Sequence, residues 1–159
     1  MTDHPLQDAI DVMNLMVEVE RTCADFYQAC SEAFSHDKDF WEQLAREEFH
    51  HAAVLVKLSD LVSRKPQEFE VGKLSPLSAL RAFISRVQSD HQKLLRGVLA
   101  EKDALMAAYL IESTVVEQKY TEAITTRNDK FLEALEKLTK AEVNHKARIQ
   151  ERVKRTQKK

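Results

Sequence analysis

Four long runs of this sequence carry an apolar stripe at helical spacing, and in each run a glutamate breaks the stripe. In the first, Met13, Met16, Val17, Cys23, Ala24, Tyr27, Cys30 and Phe34 share a face with Glu20. In the second, Trp41, Leu44, Ala45, Ala52, Leu55 and Leu58 share a face with Glu48 and His51. The third places Glu112 among Leu105, Ala108, Tyr109, Val115, Val116 and Ala123. The fourth places Glu142 and His145 among Leu132, Leu135, Leu138, Ile149 and Val153. Residues three, four and seven apart lie on one face of a helix. A carboxylate on a core face is costly to bury alone. The chain is thus restricted to folds that bring these acids together.

Two of the runs contain Glu-x-x-His, as Glu48 to His51 and Glu142 to His145. Each pair aims a carboxylate and an imidazole at one point. Glutamate is about a tenth of the chain, so fewer than one of the 6 histidines should follow a glutamate by three residues. His50, His51 and His145 all do, although the overlapping Glu47–His50 and Glu48–His51 pairs count as one event. The Glu47–His50 register falls with Gln43, Arg46 and Lys57 and reads as solvated.

The pattern repeats internally. Glu20 precedes Glu48 by 28 residues, and Glu112 precedes Glu142 by 30. At 1.5 Å per residue all six side chains sit about 15–24 Å from the turn of their helical hairpin. Two inward glutamates and two Glu-x-x-His pairs at one level make the ligand set of a dinuclear metal centre in a four-helix bundle. Two divalent cations would cancel the four carboxylate charges with both imidazoles neutral. Such donors suit iron or manganese, and also zinc or cobalt.

Only 2 Gly and 3 Pro occur in 159 residues, which makes the fold all-α. The length suits one domain spanning 1–159. The spacing predicts helices over about 5–34, 39–62, 76–96, 101–125 and 130–155. Asp39 with Glu42 reads as a capping box, Ser75-Pro76 as a helix start, and Gly97 as a stop. Residues 63–74, with Pro66 and Gly72, read as a linker. The 76–96 helix then carries a long crossover between two antiparallel hairpins.

The net charge of -2 gives no general attraction to nucleic acid. No apolar run spans a membrane and no signal peptide is visible, so a cytoplasmic location is expected. The basic end, from Lys154 to Lys159, is either a solvated helix end or a weak anionic contact. Cys23 and Cys30 lie about 10 Å apart along one helix, too far to bridge. The absence of Cys-x-x-Cys excludes a rubredoxin-type knuckle within the chain.

The ordered set of Glu20 with Tyr27, Ala45-x-x-Glu48-x-x-His51-Ala52, Ala104-Leu105-x-x-Ala108-x-x-x-Glu112 and Glu142-x-x-His145 resembles the rubrerythrin branch of the ferritin-like di-iron carboxylate family. The resemblance implies a ferritin-like four-helix bundle holding two iron ions, with manganese or zinc as substitutes. It further implies an oxidoreductase of peroxidase or ferroxidase type, active in oxidative stress, and a homodimer. Glu48 and Glu142 would bridge the irons, each iron would take one histidine, and Glu20 and Glu112 would be terminal. Tyr27 would donate a hydrogen bond to a ligand. Peroxide or dioxygen would be the oxidant, and a separate electron donor such as a rubredoxin would be required.

Two positions depart from the family pattern. Val115 stands where rubrerythrins carry a further glutamate. Lys119, followed by Tyr120, stands where the repeat would place a tyrosine, which keeps Glu117 as the alternative third-helix ligand. Two other readings of the chain are open. One is an iron- or zinc-binding protein without turnover. The other is a helical interaction module with a vestigial site.

Overall fold

The computed structural model describes residues 5–118 and 122–157, without the side chains of Pro5 and of 115–118. It is mostly helical: α1 Pro5–Ala33, α2 Lys38–Arg64, α3 Leu77–Leu95, α4 Glu101–Gln118 and α5 Asp129–Gln157. α1 packs along α2, and α4 along α5. The pairs meet through α2 against α5 and α1 against α4, while α3 lies against α1. No helix among the described residues is long and apolar enough to cross a membrane.

The core follows the stripes. α1 is buried on more than one side because it faces α2, α3 and α4. Hence Phe26, off the stripe, is as buried as Tyr27, and meets the His91 ring of α3 edge-on at 6.4 Å. Trp41 is fully buried, with Tyr27, Phe34 and Phe40 around it at ring separations of 6.0, 6.3 and 5.2 Å. Burying side chains of this size stabilises a fold by about 1.5–3 kcal/mol each, so this cluster anchors the α1–α2 hairpin.

Several boundaries differ from the sequence expectation. The helix expected over 101–125, α4, spans Glu101–Gln118 and does not reach residue 125. Ile124–Thr126 is instead a strand, β2, antiparallel to β1 at Phe69–Val71 inside the presumed linker. Ile124, Thr125 and Thr126 are β-branched and favour extended backbone. Gly72 and Lys73 extend the ladder by donating to Ala123 and Glu122 carbonyls at 2.8 and 2.7 Å. A Cβ on Gly72 would lie 2.0 Å from the Glu122 carbonyl oxygen, so only glycine fits there.

The ribbon also resets the start of α5. Phe131, not Leu132, is buried, and packs against Phe69 with the rings tilted and their centroids 5.1 Å apart. Leu132 is 45% exposed, a correction to the expected stripe. The Asn128 side chain caps α5 by accepting the Phe131 N–H at 3.0 Å.

The capping box at Asp39 does not form. A 3-10 turn, Ser35–Asp37, runs straight into α2, so Asp39 lies within the first helical turn. Likewise Pro76 takes the cap position of α3 and the helix begins at Leu77. Gly97, with φ 74°, ends α3: its N–H donates to Leu94 and that of Val98 to Lys93, both at 3.0 Å.

Candidate metal centre

The helices place Glu20 (α1), Glu48 and His51 (α2), Glu112 (α4), and Glu142 and His145 (α5) in one buried cluster. Each is no more than 4% exposed. One ligand atom from each of Glu48, His51, Glu142 and His145 lies within 4.8 Å of the others, so this group could hold a metal ion. The two imidazoles stack with centroids 5.1 Å apart.

The carboxylates divide into two kinds by what they approach. Glu48 Oε1 is 2.6 Å from His145 Nδ1 and 3.8 Å from His51 Nδ1. Glu142 lies 2.9 Å from His51 Nδ1 through Oε1 and 4.0 Å from His145 Nδ1 through Oε2. Both therefore stand between the imidazoles. Glu20 approaches His51 Nδ1 at 3.9 Å, and Glu112 approaches His145 Nδ1 at 3.9 Å.

Burial and mutual repulsion set the protonation. Burial, then Glu48, holds Glu20 well above the usual carboxylate range. Burial with Glu142 does the same to Glu48 and to Glu112. Burial and Glu20 lift Glu142 to about 8. Burial, then His145, lowers His51 to about 4. The acids are thus held toward their neutral form and His51 toward its neutral imidazole, and divalent cations would replace the protons of the acids.

The donor atoms fit such an ion. Glu48 Oε1, Glu112 Oε2, His51 Nδ1 and His145 Nδ1 are buried and make no hydrogen bond of normal geometry. Buried polar atoms are otherwise almost always satisfied.

Two further residues hold the cluster in place. The Tyr27 hydroxyl donates to Glu112 Oε1 at 2.7 Å. Glu47, read from the sequence as solvated, is instead drawn to the site: its Oε2 lies 2.6 Å from His145 Nε2 and contacts Arg148. Burial raises the Glu47 pKa, but Arg148 and His145 outweigh it and hold the carboxylate below its usual range. One signal in the sequence could have shown this role. Arg148 follows His145 by three residues, so it shares a face with His145 and can meet an acid that reaches that imidazole.

Among the described residues His51 has no counterpart to Glu47. Its ring forms part of the wall of a cavity of about 500 Å³ between α2 and α5, with Val54, Ala134, Leu138, Lys130 and Lys137. His50 is exposed. Tyr109 is half-buried with Lys146 Nζ 5.8 Å over its ring, away from the hydroxyl role that Tyr27 fills. Cys23 and Cys30 are buried and free, and burial followed by Glu48 pushes the Cys23 thiol far up, away from the reactive thiolate. Lys119 and Tyr120, and the Glu117 side chain, lie outside the described residues.

Comparisons with protein-family models, with curated proteins and with solved structures found no match to this chain.

Proposed function

We propose that the six-residue cluster holds a dinuclear iron centre in a ferritin-like bundle, and that the protein is a rubrerythrin-type peroxidase or ferroxidase. The observation that carries this reading is the division of the carboxylates: Glu48 and Glu142 stand between both imidazoles, while Glu20 and Glu112 each approach one. Such a division would suit two bridging and two terminal ligands. When bound, a pair of ferrous ions supplies two electrons for reduction of peroxide or dioxygen.

The chain's own residues orient and insulate. Glu47 and Arg148 fix the His145 ring so that Nδ1 faces the cluster. Tyr27 fixes Glu112 through Oε1 and leaves its buried Oε2 without a hydrogen bond. The cavity at His51 offers a small oxidant a path from the surface. Electrons would come from a separate carrier such as a rubredoxin, because the chain has no cysteine knuckle.

The test is an anaerobic ferrous titration of metal-free protein followed by one equivalent of hydrogen peroxide, read by absorbance. Saturation at two irons per chain, then rapid growth of a ferric band, is expected. Two irons without a peroxide reaction would move the assignment to iron handling without turnover. Failure to bind iron would overturn the proposal.

A further inference from the structure

We propose that His36, Asp37 and Glu101 form a second, mononuclear site for a divalent transition-metal ion such as zinc, where the α1–α2 turn meets the start of α4. His36 and Asp37 are the last residues of the 3-10 turn, and Glu101 is the first residue of α4. One ligand atom from each lies within 4.8 Å of the others. His36 Nε2 is 2.6 Å from Glu101 Oε2. One imidazole and two carboxylates suit zinc, ferrous or manganous ions, and three protein ligands leave positions for water.

An independent feature lies beneath the group. Trp41 is wholly buried, and its indole N–H makes no hydrogen bond of normal geometry. It is directed at Glu101, whose buried Oε1 also lacks such a bond and whose ionised form it favours. An N–H behind a carboxylate fixes its orientation for a ligand in front. The outward oxygen is the one beside His36.

The surroundings favour a cation over an anion, although the cavity of about 660 Å³ at this place also has Lys102, Arg152 and Arg155 in its wall. Arg152 Nη1 is already bound to Asp37 Oδ1 at 2.5 Å, and Arg155 Nε lies 3.6 Å from Glu151. An anion would face two carboxylates. A dication would be held by both carboxylates, whose ligand oxygens lie within 4.8 Å of each other. Through Arg152 the ion would tie the α1–α2 turn and α4 to α5, closing this end of the bundle.

The site is separate from the buried cluster, and it stands or falls without the iron proposal. Equilibrium dialysis of the full chain against zinc, with bound zinc counted per chain, tests it. A Glu48→Gln, Glu142→Gln chain disables the buried cluster and should retain one zinc. Adding His36→Ala should remove that zinc and abolish the accompanying rise in Tm. His36 is 71% exposed, so its replacement does not threaten folding. In the otherwise natural chain the same loss reads as one zinc fewer after His36→Ala. Zinc counts unchanged by both His36→Ala and Asp37→Asn would overturn the proposal, as would no zinc on the doubly substituted chain.

Discussion

Glu47 Oε2 lies 2.6 Å from His145 Nε2, so a carboxylate one residue before a cluster glutamate on α2 orients an imidazole on α5. The contact holds the ring with Nδ1 inward, and Arg148 favours the ionised form of Glu47. Glu47→Gln should weaken metal binding by about 10–100-fold, the usual effect of losing a group that orients a ligand. Competition against a chelator measures it. Glu18→Gln, at an exposed position of α1, should leave affinity unchanged. Equal affinities for Glu47→Gln and the natural chain would show that His145 needs no support.

Tyr27 donates to Glu112 across 2.7 Å in a region with no access to water. Tyr27→Phe removes the donor and leaves a buried acceptor, at a cost of about 1–3 kcal/mol. Urea denaturation of the metal-free protein should show that loss. A difference below about 0.5 kcal/mol would mean that the hydroxyl is no better bonded than in water.

The six cluster residues were legible because each breaks an apolar stripe, and a stripe is a local property of the sequence. Glu47 was not, because its partners His145 and Arg148 lie about a hundred residues away and its own face is half polar. The β1–β2 ribbon escaped for the same reason. Phe69–Val71 is too short to read as a strand, and its partner Ile124–Thr126 follows a helical pattern without a Gly or Pro between them. The ribbon then decided that Phe131 rather than Leu132 turned inward. α3 was legible as a helix, but its packing on α1 had to be seen to explain the burial of Phe26.

Without metal, stability should fall as pH rises from about 6.5 to 8. Glu142 has its pKa raised from 4.5 to about 8, so its contribution is complete below 4.5 and is lost as pH climbs through 8. Glu20, Glu48 and Glu112 are raised too and act in the same direction. His51 is lowered from 6.5 to about 4, so its contribution is complete above 6.5 and is lost as pH drops toward 4. Between 4.5 and 6.5 the two trends oppose each other; above 6.5 only the acids change. Metal binding needs the ionised acids, so the rise in Tm on loading should grow over the range in which metal-free Tm falls. Thermal denaturation at several pH values, with and without chelator, reads both. A metal-free Tm that climbs from pH 6.5 to 8 would contradict the raised acids.

Glu142→Gln should separate the two roles of the cluster. Glutamine keeps the size of Glu142 and its place beside His51 Nδ1, 2.9 Å from Oε1, but carries no charge. With chelator at pH 8 the variant should be more stable than the natural chain by a few kcal/mol, since each tenfold change in proton affinity is worth about 1.4 kcal/mol. With metal present the order should reverse, because one of the two carboxylates between the imidazoles is gone and the ion contributes less by mass action. Urea midpoints at pH 8 under both conditions decide the matter. A variant less stable in chelator as well would mean that Glu142 serves mainly to pack and bond within the bundle. A reversal would mean that the chain carries repulsion between acids in its metal-free state, and that a bound cation relieves it.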